Sequence, residues 1–280
     1  FDSIKAQSFT DYEVYVCDGT PPEHSIYDAQ AVVECYGFNY LRQDHSHKRV
    51  GGARNQAVAE GSNPYIAFLD GDDYWYPKYL SEMNNTIEKS NKSVIIWSAV
   101  CDCTYKIESG KTGEIHEMQG LYGHYEDTEF LNQYPDFAYY HFFGHPPAPT
   151  TTIVERKAFL SVGGFSMELS ILEDTDCWMR MVGDPRKIPI ENRGWFEPIP
   201  LIGGFHYIGP ENTVNRGSQT SAGNTPEEIE AVFDANSELF LSTHPRPMMT
   251  DKPIGVKTKD WKALITTVEG VNRTQKIIGN

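Results

Sequence analysis

The chain has 280 residues, 39% of them hydrophobic, and a formal charge of -15, which suits one large α/β domain or two small ones. That acidic balance argues against a broad nucleic-acid footprint or an anionic membrane surface as the main partner, although Lys48-Arg49 could hold phosphate locally. No apolar run reaches the length of a membrane span and no leader is visible, so the expectation is a cytoplasmic protein with no transmembrane segment.

The first residues read as a helix already under way through Phe1, Ile4 and Lys5. The chain opens on Phe1 instead of Met, so an N-terminal piece, with any leader, is expected to be missing. Glu13 to Cys17 is a short strand candidate ending at Asp18-Gly19-Thr20, and Pro21-Pro22 forbids its continuation. Ser25 to Tyr36 carries apolar residues at helical spacing. Asn39-Tyr40-Leu41 is a weak strand, Gly52 to Glu60 a helix closed by Gly61, and Tyr65 to Leu69 a buried-type strand. Pro77 to Lys89 is a helix with proline near its first turn, and Ser93 to Val100 is a β-branched strand. Strands alternating with helices imply a mostly parallel sheet with right-handed crossovers.

From Thr104 to Pro149 the chain is rich in aromatic residues, Gly and His, with weak periodicity. Its run Tyr139 to Pro147 reads either as a cover packed on the sheet or as an aromatic platform for an acceptor sugar. Glu155 to Leu160 is a short helix, and Glu173-Asp174-Thr175-Asp176 opens another. Irregular Pro/Gly-rich chain is expected up to about Thr225, followed by helices over Pro226 to Leu241 and Lys259 to Glu269. The five cysteines, Cys17, Cys35, Cys101, Cys103 and Cys177, are sparse and odd in number, which excludes a disulfide scaffold. Cys101-Asp102-Cys103 has no second pair at zinc spacing, so reduced thiols on or near a strand are the better reading.

The strand Tyr65 to Leu69 runs straight into Asp70-Gly71-Asp72-Asp73. Acids at a strand's carboxyl end fall on the edge where open α/β sheets bind ligands. Carboxylates this close repel one another unless something positive sits among them, and a divalent metal with oxygen ligands is one such partner. A solvated acidic turn, which Gly71 suits, is the alternative. Asp18 and Asp70 both follow strand ends and can share a cleft. Acids in a first helical turn, such as Glu173 and Asp174, are often only dipole complements.

Four segments, in order, resemble glycosyltransferase family 2, inverting enzymes with the GT-A fold. They are Ala6 to Val14 with Asp18-Gly19-Thr20, Gly52-Ala53-Arg54-Asn55-Gln56-Ala57, Phe68 to Trp75 with Pro77, and Val162-Gly163-Gly164-Phe165 with Glu173-Asp174 and Trp178 to Arg180. By that resemblance the missing N-terminal piece is the family's first β-strand. The resemblance also implies a mostly parallel sheet flanked by helices with an irregular C-terminal extension. Residues 1–220 would form the catalytic domain, with a nucleotide- and metal-binding half at 1–103 and an acceptor half at 104–220. Residues 221–280 would be a helical extension packed on it.

The resemblance implies roles. Asp70 would contact the nucleotide's ribose, Asp72 would bind Mn²⁺ or Mg²⁺, and Asp73 would support that metal. Asp18 would sit near the nucleobase; the family usually has two acids before the glycine and this chain has Cys17-Asp18, which leaves base preference open. Arg54 would lie beside the nucleotide or its phosphates, or form a surface ion pair. Asp174 would be the general base and Glu173 would orient the site, with Asp176 the competing base. His206 would be an extra metal ligand or a packed core histidine, and Arg216 would close over the diphosphate or sit in an ordinary loop. The donor would be a nucleoside-diphosphate sugar and the acceptor a carbohydrate or other hydroxyl compound. A sugar nucleotidyltransferase is one alternative, although its Gly-rich basic loop is not visible. A non-catalytic carbohydrate- or protein-binding module is another. Transfer to a nucleobase hydroxyl is opposed by the charge of -15.

Overall fold

The β-branched run after Ser93 forms the spine of the molecule. In the computed structural model, residues 1–20, 28–44, 46, 49–108, 115–122, 131, 134–208, 226–252, 256–263 and 265–266 are described. Strand β5, Val94–Glu108, pairs in parallel with β8, Trp195–Ile208, along one edge. Its other edge takes two antiparallel partners in succession, β7 (Thr152–Glu155) at Ile96 to Ser98 and β6 (Ile115–Tyr122) at Cys101 to Glu108. Strand β3, Tyr65–Ala67, adds antiparallel to β7, and β4, Tyr74–Trp75, adds antiparallel to β8. The result is a 6-stranded sheet in the order β3-β7-β5-β8-β4, with β6 on β5. A separate 2-stranded parallel sheet joins β1, Tyr15–Asp18, to β2, Asn39–Arg42.

The fold is thus α/β, but its sheet is mixed instead of mostly parallel. The parallel expectation came from the first half, where strands and helices alternate. The chain beyond Val100 supplies β6 and β7, which return along β5 in the opposite sense.

Alternation along the strands sends successive side chains to opposite faces. Ile96 and Val154 face one core, Trp97 and Ile153 the other. The second core is closed by α4, Tyr79–Ile87, through Tyr79, Leu80 and Met83, and by Ile4 and Phe38. The first is closed by α5 (Pro135–His141), α6 (Arg156–Ser161) and α7 (Glu173–Val182). It also takes in Phe240 from α8, Pro226–Thr243, and Val256 and Trp261 beyond it. Trp178, Trp261 and Phe142 are fully buried there, each contributing about 1.5–3 kcal/mol or more by leaving water.

In the middle and late chain one open alternative is decided and one expectation is overturned. Tyr139, Tyr140 and Phe142 are buried core residues rather than an acceptor platform. The stretch expected to be irregular before Thr225 contains β8, whose register against β5 shifts at three points between Val94 and Cys101. These irregularities admit Pro198 and Pro200, which cannot donate to a ladder. Gly203 and Gly204 let neighbours in: an added Cβ would stand 2.6 Å from the Tyr79 ring and 2.6 Å from the Tyr74 carbonyl, respectively. Arg216 lies outside the described residues.

Candidate active site

The acidic loop after β3 is anchored by Phe68. Its ring packs on Phe165 at 5.0 Å, Phe159 at 5.7 Å and Trp178 at 6.1 Å between centroids. Beyond it the chain turns, Asp73 N donating to Asp70 O at 3.2 Å, and enters β4. Four acids or bases of this region stand close together: Asp70, Asp72, Asp73 and His206, the last carried by β8.

Arg54 organises the loop from helix α3, Arg49–Glu60. Its Nη2 donates to both carboxylate oxygens of Asp70, at 2.7 and 2.8 Å, and its Nη1 donates to Glu173 Oε1 at 2.9 Å. The guanidinium also lies 5.3 Å from the Phe165 ring centroid. Burial opposes the charge on Arg54, but Asp70 and Glu173 outweigh it and raise its pKa. Arg54 is therefore held in a largely buried pair of ion pairs instead of a surface one. Its Nε is buried without a hydrogen-bond partner.

The neighbouring Asn55 fixes a second loop. Its side chain donates to Phe165 O at 2.8 Å and accepts from Phe165 N at 2.9 Å. Gly164 passes beside it with φ +70, and a Cβ there would come within 2.5 Å of Asn55 Oδ1. Only glycine satisfies both the left-handed backbone and the close approach. The Ala-Arg-Asn and Gly-Gly-Phe segments thus meet through Asn55.

Asp73 points inward. Its Oδ2 accepts from Thr150 Oγ1, and His206 Nδ1 lies 3.1 and 3.0 Å from its two oxygens. Burial disfavours charge on His206, but Asp73, Asp70 and Asp72 outweigh it, so its pKa is raised. Asp72 is exposed. Partial desolvation and the adjacent Asp73 and Asp70 carboxylates push its carboxyl above the usual range. Among the described residues no three His, Cys, Asp or Glu side chains already converge as a metal cage. The donor chemistry nevertheless fits a hard divalent cation: carboxylate oxygens with an imidazole nearby, and accumulated negative charge at Asp72 that a cation relieves.

Asp18 is held apart from this cluster. It accepts from Thr20 N at 2.9 Å, Tyr40 Oη at 3.1 Å and Arg42 Nη1 at 2.9 Å. Burial raises its pKa, but these donors outweigh burial and leave it lowered. Asp18, Arg54, Asp70 and Asp73 line one cleft of about 1030 Å³, together with Val14, Val16, Ile66 and Phe68. The cleft runs between β1 and β3, and no strand among the described residues joins the two sheets. Its lining is mostly apolar along the strands, with Asp11, Glu13 and Arg156 near their amino ends and Asp18, Arg54, Asp70 and Asp73 toward their carboxyl ends.

Helix α7 spreads its acids. Glu173 meets Arg54. Burial and Asp174, opposed by Arg54, push the Glu173 carboxyl up to about 7. Asp174 accepts at Oδ1 from Thr175 N at 2.6 Å and Thr175 Oγ1 at 3.2 Å, and burial raises its pKa despite Arg54. Asp176 turns away: Oδ2 accepts from Arg180 Nε and Nη2 at 3.0 and 2.6 Å, and Oδ1 lies 3.0 Å from His244 Nε2. Thr150, Asn55, Arg42 and His244 escaped sequence reasoning as site-supporting residues. Asn55 alone carried a signal, its place beside Arg54 in a recognised segment.

The chain is similar to known glycosyltransferases. The family profile described as Glycosyl transferase family 2 matches residues 1–145 of the 280, more than half of the chain. A UDP-Glc:alpha-D-GlcNAc-diphosphoundecaprenol beta-1,3-glucosyltransferase, WfaP of Escherichia coli, is 30% identical over 93 residues, 31% of this chain and 34% of that protein. The putative glycosyltransferase EpsE of Bacillus subtilis is 28% identical over 89 residues, 31% of this chain and 32% of that protein. The matched stretch thus spans about a third of these relatives. An uncharacterized glycosyltransferase of Haemophilus influenzae is 22% identical over 95% of this chain and 88% of its own length. Among solved structures, S. aureus TarS 1-349 in complex with UDP-GlcNAc superposes with a TM-score of 0.53 at 14% identity, covering 94% of this chain and 65% of that one. That likeness shows the GT-A fold. No helix among the described residues is long and apolar enough to cross a membrane. By the match over its first half and by its fold, the chain belongs to glycosyl transferase family 2.

Proposed function

We propose that the protein is a metal-dependent, inverting glycosyltransferase that moves a sugar from a nucleoside-diphosphate sugar to an acceptor hydroxyl. The observation that carries this reading is the link from Asp70 through Arg54 to Glu173, which joins the acidic loop beside the cleft to the start of α7, where Asp174 stands. Residues 1–103 would serve the nucleotide and metal, residues 104–220 the acceptor, and residues 221–280 would pack as an extension. The relatives named as glycosyltransferases support the activity, and the UDP-GlcNAc complex of TarS makes uridine-diphosphate sugars the first donors to test.

In this reading Asp18 borders the base-binding part of the cleft and Asp70 faces the ribose once Arg54 releases part of its grip. Asp72 would hold Mn²⁺ or Mg²⁺, with Asp73 and His206 behind it. When bound, the cation would neutralise the diphosphate as negative charge develops on the leaving group. Asp174 takes the acceptor hydroxyl's proton while that oxygen attacks the anomeric carbon from the side opposite the diphosphate. One such displacement inverts the configuration. Glu173 and Arg54 hold the approach to Asp174, and most of the rate gain comes from positioning. Arg216 remains a candidate diphosphate contact.

The deciding experiment is a screen of nucleoside-diphosphate sugars with Mn²⁺ or Mg²⁺, following nucleoside-diphosphate release with and without a broad acceptor mixture. Metal-dependent release that rises with acceptor supports the reading. No release from any donor favours a non-catalytic binding module on the same fold.

A further inference from the structure

The chain enters the first turn of α7 through Leu172, whose φ of 64 and ψ of 10 are left-handed. A side-chain-bearing residue resists that conformation, because its Cβ crowds the following carbonyl. No side-chain cap assists at this helix start. The support comes from far along the sequence. Asn236, buried in α8, accepts at Oδ1 from Ser170 N at 2.7 Å, from Ser170 Oγ at 3.3 Å and from Ile171 N at 3.4 Å. Its Nδ2 donates to Ser170 Oγ at 3.1 Å and to Val232 O at 2.7 Å.

The same helix delivers a second hold on the turn. His244, just past its end and 3% exposed, places Nε2 3.0 Å from Asp176 Oδ1, which accepts, and Nδ1 3.1 Å from Tyr139 Oη. Asp176 N in turn donates to Leu172 O at 2.9 Å. The two contacts bracket Asp174, one on the approach and one on the turn itself.

We infer that Asn236 and His244 are positioning residues: from the C-terminal helix they fix the left-handed approach Ser170–Leu172 and the first turn of α7, and thereby set where the Asp174 carboxylate points. The inference rests on the reading of Asp174 as the base. It makes the C-terminal helix part of the transfer apparatus rather than a cover.

The test uses the full chain with the variants Asn236→Ala, His244→Gln and Asn236→Ala with Leu172→Gly. Trp261→Phe is the control, a buried residue of the same C-terminal region whose ring packs on Tyr140 and whose Nε1 donates to Met248 O. The expected result for Asn236→Ala and His244→Gln is a fall in kcat of about tenfold to hundredfold, with donor KM within about twofold. Trp261→Phe keeps its kcat even where its Tm falls as far. Glycine accepts the left-handed backbone without the Cβ penalty, so adding Leu172→Gly to Asn236→Ala recovers part of kcat. Hydrogen exchange of the amides of residues 170–176 speeds up in Asn236→Ala and not in Trp261→Phe. The inference is overturned if kcat tracks Tm equally in all variants, or if exchange at 170–176 is unchanged in Asn236→Ala. If the unaltered chain transfers no sugar, the assignment of Asp174 fails instead, and the exchange measurement still decides whether Asn236 holds the turn.

Discussion

Arg54 grips Asp70 through both carboxylate oxygens, at 2.7 and 2.8 Å, with one nitrogen and reaches Glu173 with the other. One cation on α3 therefore spans the acidic loop and the head of α7. The contact that the family resemblance assigns to a ribose is taken by a guanidinium. In the proposed function Asp70 would share its carboxylate between Arg54 and the ribose, so loss of Arg54 is expected to alter donor binding.

Removing this cation leaves two largely buried carboxylates facing each other. Arg54→Ala should lose about 3–5 kcal/mol of stability, the cost of an uncompensated buried charge. Arg54→Lys keeps the charge but cannot fork between two acids, so it should lose less while still weakening donor binding. Urea unfolding measures the first effect. Adding Asp70→Asn and Glu173→Gln to Arg54→Ala should return much of the loss, and a triple variant no more stable than Arg54→Ala would show that the deficit is lost packing on Phe165.

The two acids of the loop's second half should separate by function. Asp72→Asn should abolish Mn²⁺-dependent nucleotide binding, because Asp72 is the exposed carboxylate carrying excess negative charge. Asp73→Asn should weaken it less and should also lower stability, since Asp73 is tied to Thr150 and His206. Calorimetric titration of a nucleoside diphosphate with and without Mn²⁺ distinguishes them. Unchanged metal-dependent binding in Asp72→Asn would remove that residue from the metal site.

Much of this arrangement is legible in the chain because it is written locally. A strand followed by acids marks Asp70 to Asp73, although β3 stops at Ala67 and leaves Tyr65 and Ala67 exposed where the sequence predicts a buried strand to Leu69, and the head of α7 falls at Glu173 as its composition indicates. Asp174 and Asp176, two positions apart on a helix, must diverge, and Asp176 does turn to His244. What escapes is written non-locally. Strand β8 hides behind Pro198, Pro200, Gly203 and Gly204, each tolerated only because a particular neighbour or register shift receives it. The aromatic run from Tyr139 leaves cover and platform equally open until the C-terminal segment brings Trp261 to 4.8 Å from the Tyr140 ring. Asn236 reaches Ser170 across 66 positions, a pairing that no periodicity encodes.

The glycines of β8 offer a direct check of that close packing. Gly203→Ala places a methyl 2.6 Å from the ring of Tyr79, the fully buried first residue of α4. Gly204→Ala places one 2.6 Å from the Tyr74 carbonyl, in the short strand that follows the acidic loop. Overpacking of this kind costs about 1–3 kcal/mol. Thermal melts should show both losses, and only Gly204→Ala should also reduce metal-dependent binding, because it alone displaces β4. Equal binding in the two variants would mean that β4 moves without carrying Asp72 along.

Glu173 gives the site its pH dependence. Burial and the Asp174 charge push its carboxyl up from 4.5 to about 7, and Asp174 is raised as well. The folded protein keeps a proton on this pair that the unfolded chain releases at lower pH. Its contribution to stability is therefore complete below the ordinary carboxylate range and is lost as pH rises through about 7. Transfer should run the opposite way, because a base must be ionised to accept the acceptor's proton: kcat should climb with pH as Asp174, which burial raises above the usual carboxylate range, loses its proton, and then level off. Glu173→Gln removes the like charge beside Asp174, so the rising limb should move to lower pH, while the melting temperature should fall less between pH 6 and 8 than in the unaltered chain, a span of about two units around the titration. A limb that stays in place in Glu173→Gln would mean that the group titrating in the profile is not coupled to Glu173, and Asp174 would lose its standing as the base.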